Sequence, residues 1–306
     1  MSKHLFGLIV TPFGTAANNR GESEGNITTL QKLLWNGAVH TTVSAEAIRG
    51  AIRYSWQARG LALNRNWNDD KTQHSWKDPE FKDSSKDYVD DDVLGFMSAQ
   101  AAKEEGNGSE APPITGKKKG TTLSRRSRLE VTRAVSLTPW SGDMTFNAAG
   151  IGATPSASKK GQYPVPYGAE VHATRYQYGF ALTPEHLVKK ERAIEVVDAI
   201  VSLSQVAGNQ SRFLFDFSPE AVVFRWTDDF APRILYGFTA DGPNGLHLPT
   251  IHGRVEAGDI SPREIIVGGP VAEMEILKQR GAFVAQGVKA AADEVKIRMK
   301  KDLGLR

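Results

Sequence analysis

The sequence contains no cysteine, which removes disulfides, thiolate nucleophiles and cysteine-ligated zinc or iron-sulfur centres together. Long apolar runs are missing too: Leu5 to Val10 and Val196 to Leu203 fall far short of the roughly 20 residues a membrane span needs. The opening Met-Ser-Lys-His has neither a charged leader nor a small-residue cleavage site before the first strand-like segment, so a cytoplasmic protein without membrane contact is expected. Neither sign of charge dominates, with 38 Lys and Arg against 35 Asp and Glu and a net charge of +3. That mild basicity suits nucleic acid but does not single it out. The 7 histidines are scattered, and His247 and His252 lack a metal-binding spacing. Gly150-Ile151-Gly152 is too short for a dinucleotide fingerprint. No catalytic residue, metal or cofactor is expected.

What is present is a chain of 306 residues, 40% hydrophobic, able to bury a sizeable core. Leu5 to Phe13 (LFGLIVTPF) reads as a buried strand, followed by a polar loop from Asn18 to Asn26. Ser44 to Trp56 opens on a capping serine and repeats apolar residues at helical spacing. Leu129 to Leu137 and Val171 to Leu182 read as strands, Pro184 to Val206 as a second amphipathic helix, and Phe213 to Phe217 and Ala221 to Trp226 as strands. Thr239 to Gly269 reads as Gly- and Pro-rich connection, and Phe283 to Leu303 as a charged helix. The resulting strand-helix-strand-strand-helix-strand order is that of a ferredoxin-like or RRM α/β (α+β) fold. Two polar stretches interrupt it, dividing the chain into a core of residues 1–58, 121–137 and 171–306 and insertions at 59–120 and 138–170. The first insertion is read as lying outside the core, with Trp67 and Trp76 isolated in it and 106–113 (GNGSEAPP) as flexible loop.

Four segments carry candidate chemistry. On the first helix Arg49 and Arg53 are one turn apart and share a face, with Gly50 between them removing bulk, a surface suited to a phosphodiester backbone. The competing reading is a solvated face on which Glu46 pairs with arginine. Lys117 to Arg128 (KKKGTTLSRRSR), including Lys117, Arg125 and Arg126, is basic without an acid, either a polyanion-binding arm or a solubilising loop. Asn209, Gln210, Ser211 and Arg212 form a polar turn able to bond sugar, phosphate or base edges, or simply a helix terminus. Trp140, Met144 and Phe146 could wedge between bases or pack internally. Asp90 to Asp92 could hold a cation, but a solvated loop explains three consecutive acids more simply.

Residues 19–22 (NRGE), 40–53 (HTTVSAEAIRGAIR), 88–97 (YVDDDVLGFM), 125–137 (RRSRLEVTRAVSL) and 208–212 (GNQSR) resemble, in that order, segments of the DevR/Cst subfamily of CRISPR-associated family-seven backbone subunits, of type I-B. The likeness runs from about Leu5 to Arg225. It implies an RRM-like palm, a finger from the first insertion and a thumb from the second, with copies stacked head to tail along guide RNA (crRNA). It also implies target DNA reached through the guide, and other Cascade subunits as partners: a 5'-end cap subunit, large and small subunits, and a helicase-nuclease or other effector recruited later. By the same resemblance Asn19, Arg20, His40, Ser44, Glu46, Arg49 and Arg53 would hold the RNA, and Asn209 to Arg212 would form the opposite wall of its groove. The enzyme alternative, an RRM-like endoribonuclease that processes or cleaves RNA, would use His40 as base or an aspartate among Asp90 to Asp92.

Overall fold

The computed structural model describes residues 2–17, 23–68, 73–99, 122–148, 150, 166–206, 215–242 and 245–305. Six strands come first: His4–Val10 (β1), Gly14–Ala17 (β2), Ser23–Glu24 (β3), Ile27–Thr28 (β4), Lys32–Trp35 (β5) and Ala38–Val43 (β6), the last two forming an antiparallel hairpin. Helix Ala45–Ala58 (α1) follows. The first insertion supplies Arg65–Trp67 (β7), His74–Trp76 (β8), Ser84–Asp87 (α2), Val89–Val93 (α3) and Phe96–Ala99 (β9), and Thr122–Arg125 (β10) returns from it. Then come Leu129–Val131 (β11), Ala134–Ser136 (β12), Met144–Ala148 (β13), Pro166–Thr174 (β14), Tyr176–Leu182 (β15) and Arg192–Val201 (α4). The last third holds Ala221–Thr227 (β16), Thr239–Asp241 (β17), Gly245–His247 (β18), Pro249–Glu256 (α5), Ile265–Gly268 (β19), Met274–Gln279 (α6), Phe283–Ala285 (β20) and Val288–Leu303 (α7).

One mixed α/β layer organises the chain, a sheet in the order β20-β19-β16-β1-β15-β12-β6-β5, with β11 also paired to β15. Its centre, β16-β1-β15-β12, is antiparallel throughout. Read with α1 and α4, that centre runs strand, helix, strand, strand, helix, strand along the sequence. β1 has no polar face because both its faces are covered. Leu5 and Ile9 point into a core shared with Ile48, Ile52 and Trp56 of α1, Val196 and Ile200 of α4, and Val295 of α7. Phe6, Leu8 and Val10 point into a second core with Ile251 of α5, Ile265, Val267 and Leu277. Gly7 faces the ring of Phe180 so closely that a Cβ would come within 2.0 Å of it. Two fully buried isoleucines and a tryptophan anchor α1, each burial contributing about 1.5–3 kcal/mol.

Several sequence expectations are corrected. Leu129 to Leu137 is two strands, because Thr132 and Arg133 leave the ladder while Thr132 bonds the backbone of Gly179. Val171 to Leu182 breaks at Arg175, so that β14 belongs to a separate five-stranded sheet with β13, β4, β3 and β2. Helix α4 is shorter than Pro184 to Val206, residues 215–217 form no strand, and 213–214 lie outside the described residues. Thr239 to Gly269 is no mere connection: it forms β17, β18, α5 and β19 and closes the second core. The C-terminal helix begins only at Val288, after β20. Nor is the first insertion wholly outside the core, since Leu63, Val89, Val93 and Leu94 pack into it. Trp67 and Trp76 are not isolated; in the β7-β8 hairpin Trp67 stands opposite His74 and Trp76 opposite Arg65, the His74 ring touches both tryptophans, and Phe81 and Phe96 continue the row. The 106–113 loop lies outside the described residues. Among the described residues, no helix is long and apolar enough to cross a membrane.

Candidate nucleic-acid interface

Helix α1 begins where the Ser44 side chain accepts the Ala47 amide at 3.2 Å. With Ile48, Ile52 and Trp56 turned into the core, the helical period leaves Arg49 and Arg53 on an adjoining face. Arg49 keeps 27% of its side-chain surface exposed, and its nearest acid, Glu46, is 3.9 Å away and itself exposed. Its Nε is buried with no hydrogen-bond partner among the described residues. Between the two arginines, a Cβ placed on Gly50 would meet nothing within 4 Å, so the helix surface there is open.

Arg53 is less free, its Nε lying 3.4 Å from Asp90. Arg65, on β7, donates its backbone amide to the same carboxylate, and its guanidinium stands 5.2 Å from the Trp76 ring centre. Burial lowers the pKa of both guanidiniums, with Asp90 acting in opposition. Sequence reading missed Arg65 because it sits in a polar insertion; the signal available was its place two residues before Trp67 in a short strand matched by His74 to Trp76.

The aspartate run is the clearest correction. Asp90, Asp91 and Asp92 are buried in α3, not solvated. They point in three directions and find three sets of partners. Asp90 accepts the amides of Asn64 and Arg65. Asp91 takes Asn64 Nδ2 at 2.7 Å, and burial pushes its carboxyl up to about 6. Asp92 accepts Arg125 at 2.6 Å, Arg192 at 2.8 Å and the amides of Val188 and Lys189. Arg125 is thereby committed to tying the insertion to the entrance of α4, whereas Arg126 is exposed and pairs with Glu130 at 2.6 Å. Asp90 and Asp92 are thus paired with arginines, and Asp91 with the Asn64 amide.

The β13-β14 hairpin divides the three wedge candidates. Trp140 is pinned at its base: Nε1 donates to the Val171 carbonyl at 3.0 Å, and Lys32, 2.6 Å from Glu170, lies 4.2 Å over its ring centre. Met144 and Phe146, two residues apart on one strand face, are 54% and 81% exposed. A cleft of about 450 Å³ is lined by Thr29 to Leu33 and Arg133.

His40 is buried, its Nδ1 donating to the Ser136 carbonyl at 2.7 Å. Asn19, Arg20, Lys117, Asn209, Gln210, Ser211 and Arg212 lie outside the described residues. Among the described residues no group of three His, Asp or Glu could hold a metal ion, and His247 and His252 each stand beside a glutamate instead.

With this geometry in hand, three comparisons converge. A family described as "CRISPR-associated negative auto-regulator DevR/Csa2" matches residues 12–212. A protein of Myxococcus xanthus (strain DK1622) described as "CRISPR-associated protein Cas7/Cst2/DevR" is 53% identical over 301 residues, covering 95% of this chain and 96% of its own. Among solved structures, a chain of a "CRISPR RNA-guided surveillance complex" shares the fold at TM-score 0.56 and 14% identity, covering 95% of this chain and 98% of that one. A chain from a "CRISPR RNA-guided surveillance complex, pre-nicking" does so at TM-score 0.58 and 12% identity, covering 97% and 100%.

Proposed function

The chain belongs to the CRISPR-associated DevR/Csa2 family, and from that premise we propose that it is a non-catalytic guide-RNA-binding subunit that polymerises head to tail along crRNA as the backbone of a type I-B Cascade complex. The observation that carries the reading is the surface of α1: an open space at Gly50, flanked by Arg49 and Arg53 one turn apart, with Arg49 underpaired. Such a surface admits a phosphodiester chain close to the helix, and guanidinium pairs grip phosphate without reading sequence. Guide bases then remain free to pair with target DNA.

In this reading the central sheet with α1 and α4 is an RRM-like palm formed by residues 1–58, 121–137 and 171–306, residues 59–120 are the finger, and 138–170 the thumb. Exposed Met144 and Phe146 on one face of β13 support a thumb that inserts between bases. A heterologous contact between copies that does not close into a ring yields a helical filament, and other Cascade subunits would cap its ends. The cytoplasm, where guide transcripts are made, is its place of work.

The test is co-expression with a guide transcript, followed by the absorbance ratio of the purified protein and sizing of nuclease-protected RNA. Oligomers with protected RNA are expected, lost on Arg49→Ala/Arg53→Ala. A nucleic-acid-free monomer that ignores guide RNA would sink the proposal.

A further inference from the structure

Asp90 is wholly buried and its carboxylate oxygens are committed: Oδ1 accepts the Asn64 amide at 2.9 Å and Oδ2 the Arg65 amide at 3.1 Å. The same Oδ2 lies 3.4 Å from Arg53 Nε. The Arg53 guanidinium thus pairs with a carboxylate that two backbone amides hold in place. The Nε groups of Arg49 and Arg65 are buried without a hydrogen-bond partner among the described residues. Partly desolvated cations left underpaired are costly in the free protein, and a phosphate oxygen arriving at the α1 face would complete them.

Resting on the RNA-backbone reading above, we infer that Asp90 is a positioning residue for RNA binding: anchored by two backbone amides at the base of the first insertion, it holds the Arg53 guanidinium in place for phosphate. The planar fork of arginine has to be fixed to bond phosphate in paired fashion, and a buried carboxylate is the group that fixes it.

Charge alone and positioning make opposite predictions for Asp90→Asn. Removing an acid near a polyanion would tighten binding through Coulomb attraction. Losing the fixed Arg53 guanidinium weakens it by roughly 10-fold, the size of one charge-assisted hydrogen bond. The experiment is fluorescence anisotropy of a labelled oligouridine RNA with the full chain, comparing wild type, Asp90→Asn, Arg53→Lys, Arg53→Ala and the Asp90→Asn/Arg53→Ala pair. Expected are weaker binding by Asp90→Asn, a comparable loss for Arg53→Lys despite its retained charge, and an added effect of Asp90→Asn below about 2-fold once Arg53 is alanine. Equal or tighter binding by Asp90→Asn, or an undiminished loss in the Arg53→Ala background, overturns the inference. Should Asp90→Asn fail to fold, Arg53→Lys decides, and wild-type affinity in that variant overturns it. The Arg49→Ala/Arg53→Ala variant separates the two levels: if it binds RNA normally, the RNA-backbone reading and this inference fall together, and if it loses binding while Asp90→Asn does not, only the inference falls.

Discussion

Gly50→Ala separates folding from binding in a single methyl group. Gly50 lies inside α1, and the added Cβ meets nothing within 4 Å, so no clash opposes the substitution. Alanine is favoured over glycine in a helix interior by about 1 kcal/mol. With an unfolding entropy of roughly 2.1 cal/mol/K per residue over a chain this long, that gain raises Tm by about 1.5 °C. A phosphate backbone drawn against the helix at Gly50 would meet the same methyl group and be pushed off the Arg49 and Arg53 guanidiniums. Loss of one such contact corresponds to about 10-fold in affinity. The protein should therefore become slightly more heat-resistant and a poorer RNA binder at once. Thermal unfolding monitored by circular dichroism and anisotropy of labelled RNA measure the two quantities on one preparation. A more stable protein that binds RNA as well as wild type would refute the close approach at Gly50, and with it the path assigned to the RNA.

Other outcomes follow from the same geometry. Met144→Ala/Phe146→Ala removes only exposed apolar surface, so stability should change by less than about 0.5 kcal/mol; the fluorescence of 2-aminopurine substituted along a bound guide should drop at the positions the thumb unstacks, and an unchanged pattern would remove the wedge role. Asp92→Ala strips the partner from Arg125 and Arg192 in a buried setting and should cost about 3–5 kcal/mol, read by urea titration. Asp91 is pushed up to about 6 by burial, against 3.8 ordinarily, so the folded state binds its proton more tightly than the unfolded state. Between about pH 4 and 6 this group makes stability fall as pH rises, and at pH 7 the ionised carboxyl opposes folding. Asp91→Asn should accordingly gain stability over wild type at pH 7 and lose that advantage at pH 4; an advantage independent of pH would contradict the assignment.

How much of this was legible depended on how local each cause was. The Ser44 cap and the Ile48, Ile52, Trp56 spacing lie within one helix, so α1 and its arginine face could be read directly. The apolar run of β1 likewise announced a strand covered on both sides. The break at Arg175 depends on a change of partner from β2 to β1, which no property of the VHATRYQY stretch reveals. A run of three aspartates reads as solvated surface because like charges repel. Only Arg53, Arg125 and Arg192, brought in from distant segments, make its burial possible. Residues 239–269 were discounted for their glycines and prolines, yet Leu246, Ile251, Val255 and Ile265 close a core from elements too short to show a period.

Strand β1 is made long before the two neighbours that enclose it in the finished sheet. Leu5 pairs with Leu182 on one side and Trp226 on the other. At about 5–20 residues per second, the second of those neighbours is synthesised on the order of 10 seconds or more after the first strand emerges. Throughout that interval LFGLIV is an apolar, β-prone segment with both edges open, the kind that seeks pairing with other nascent chains. Yield in a heterologous host should therefore depend on translation speed and chaperone supply more than on the stability of the finished molecule.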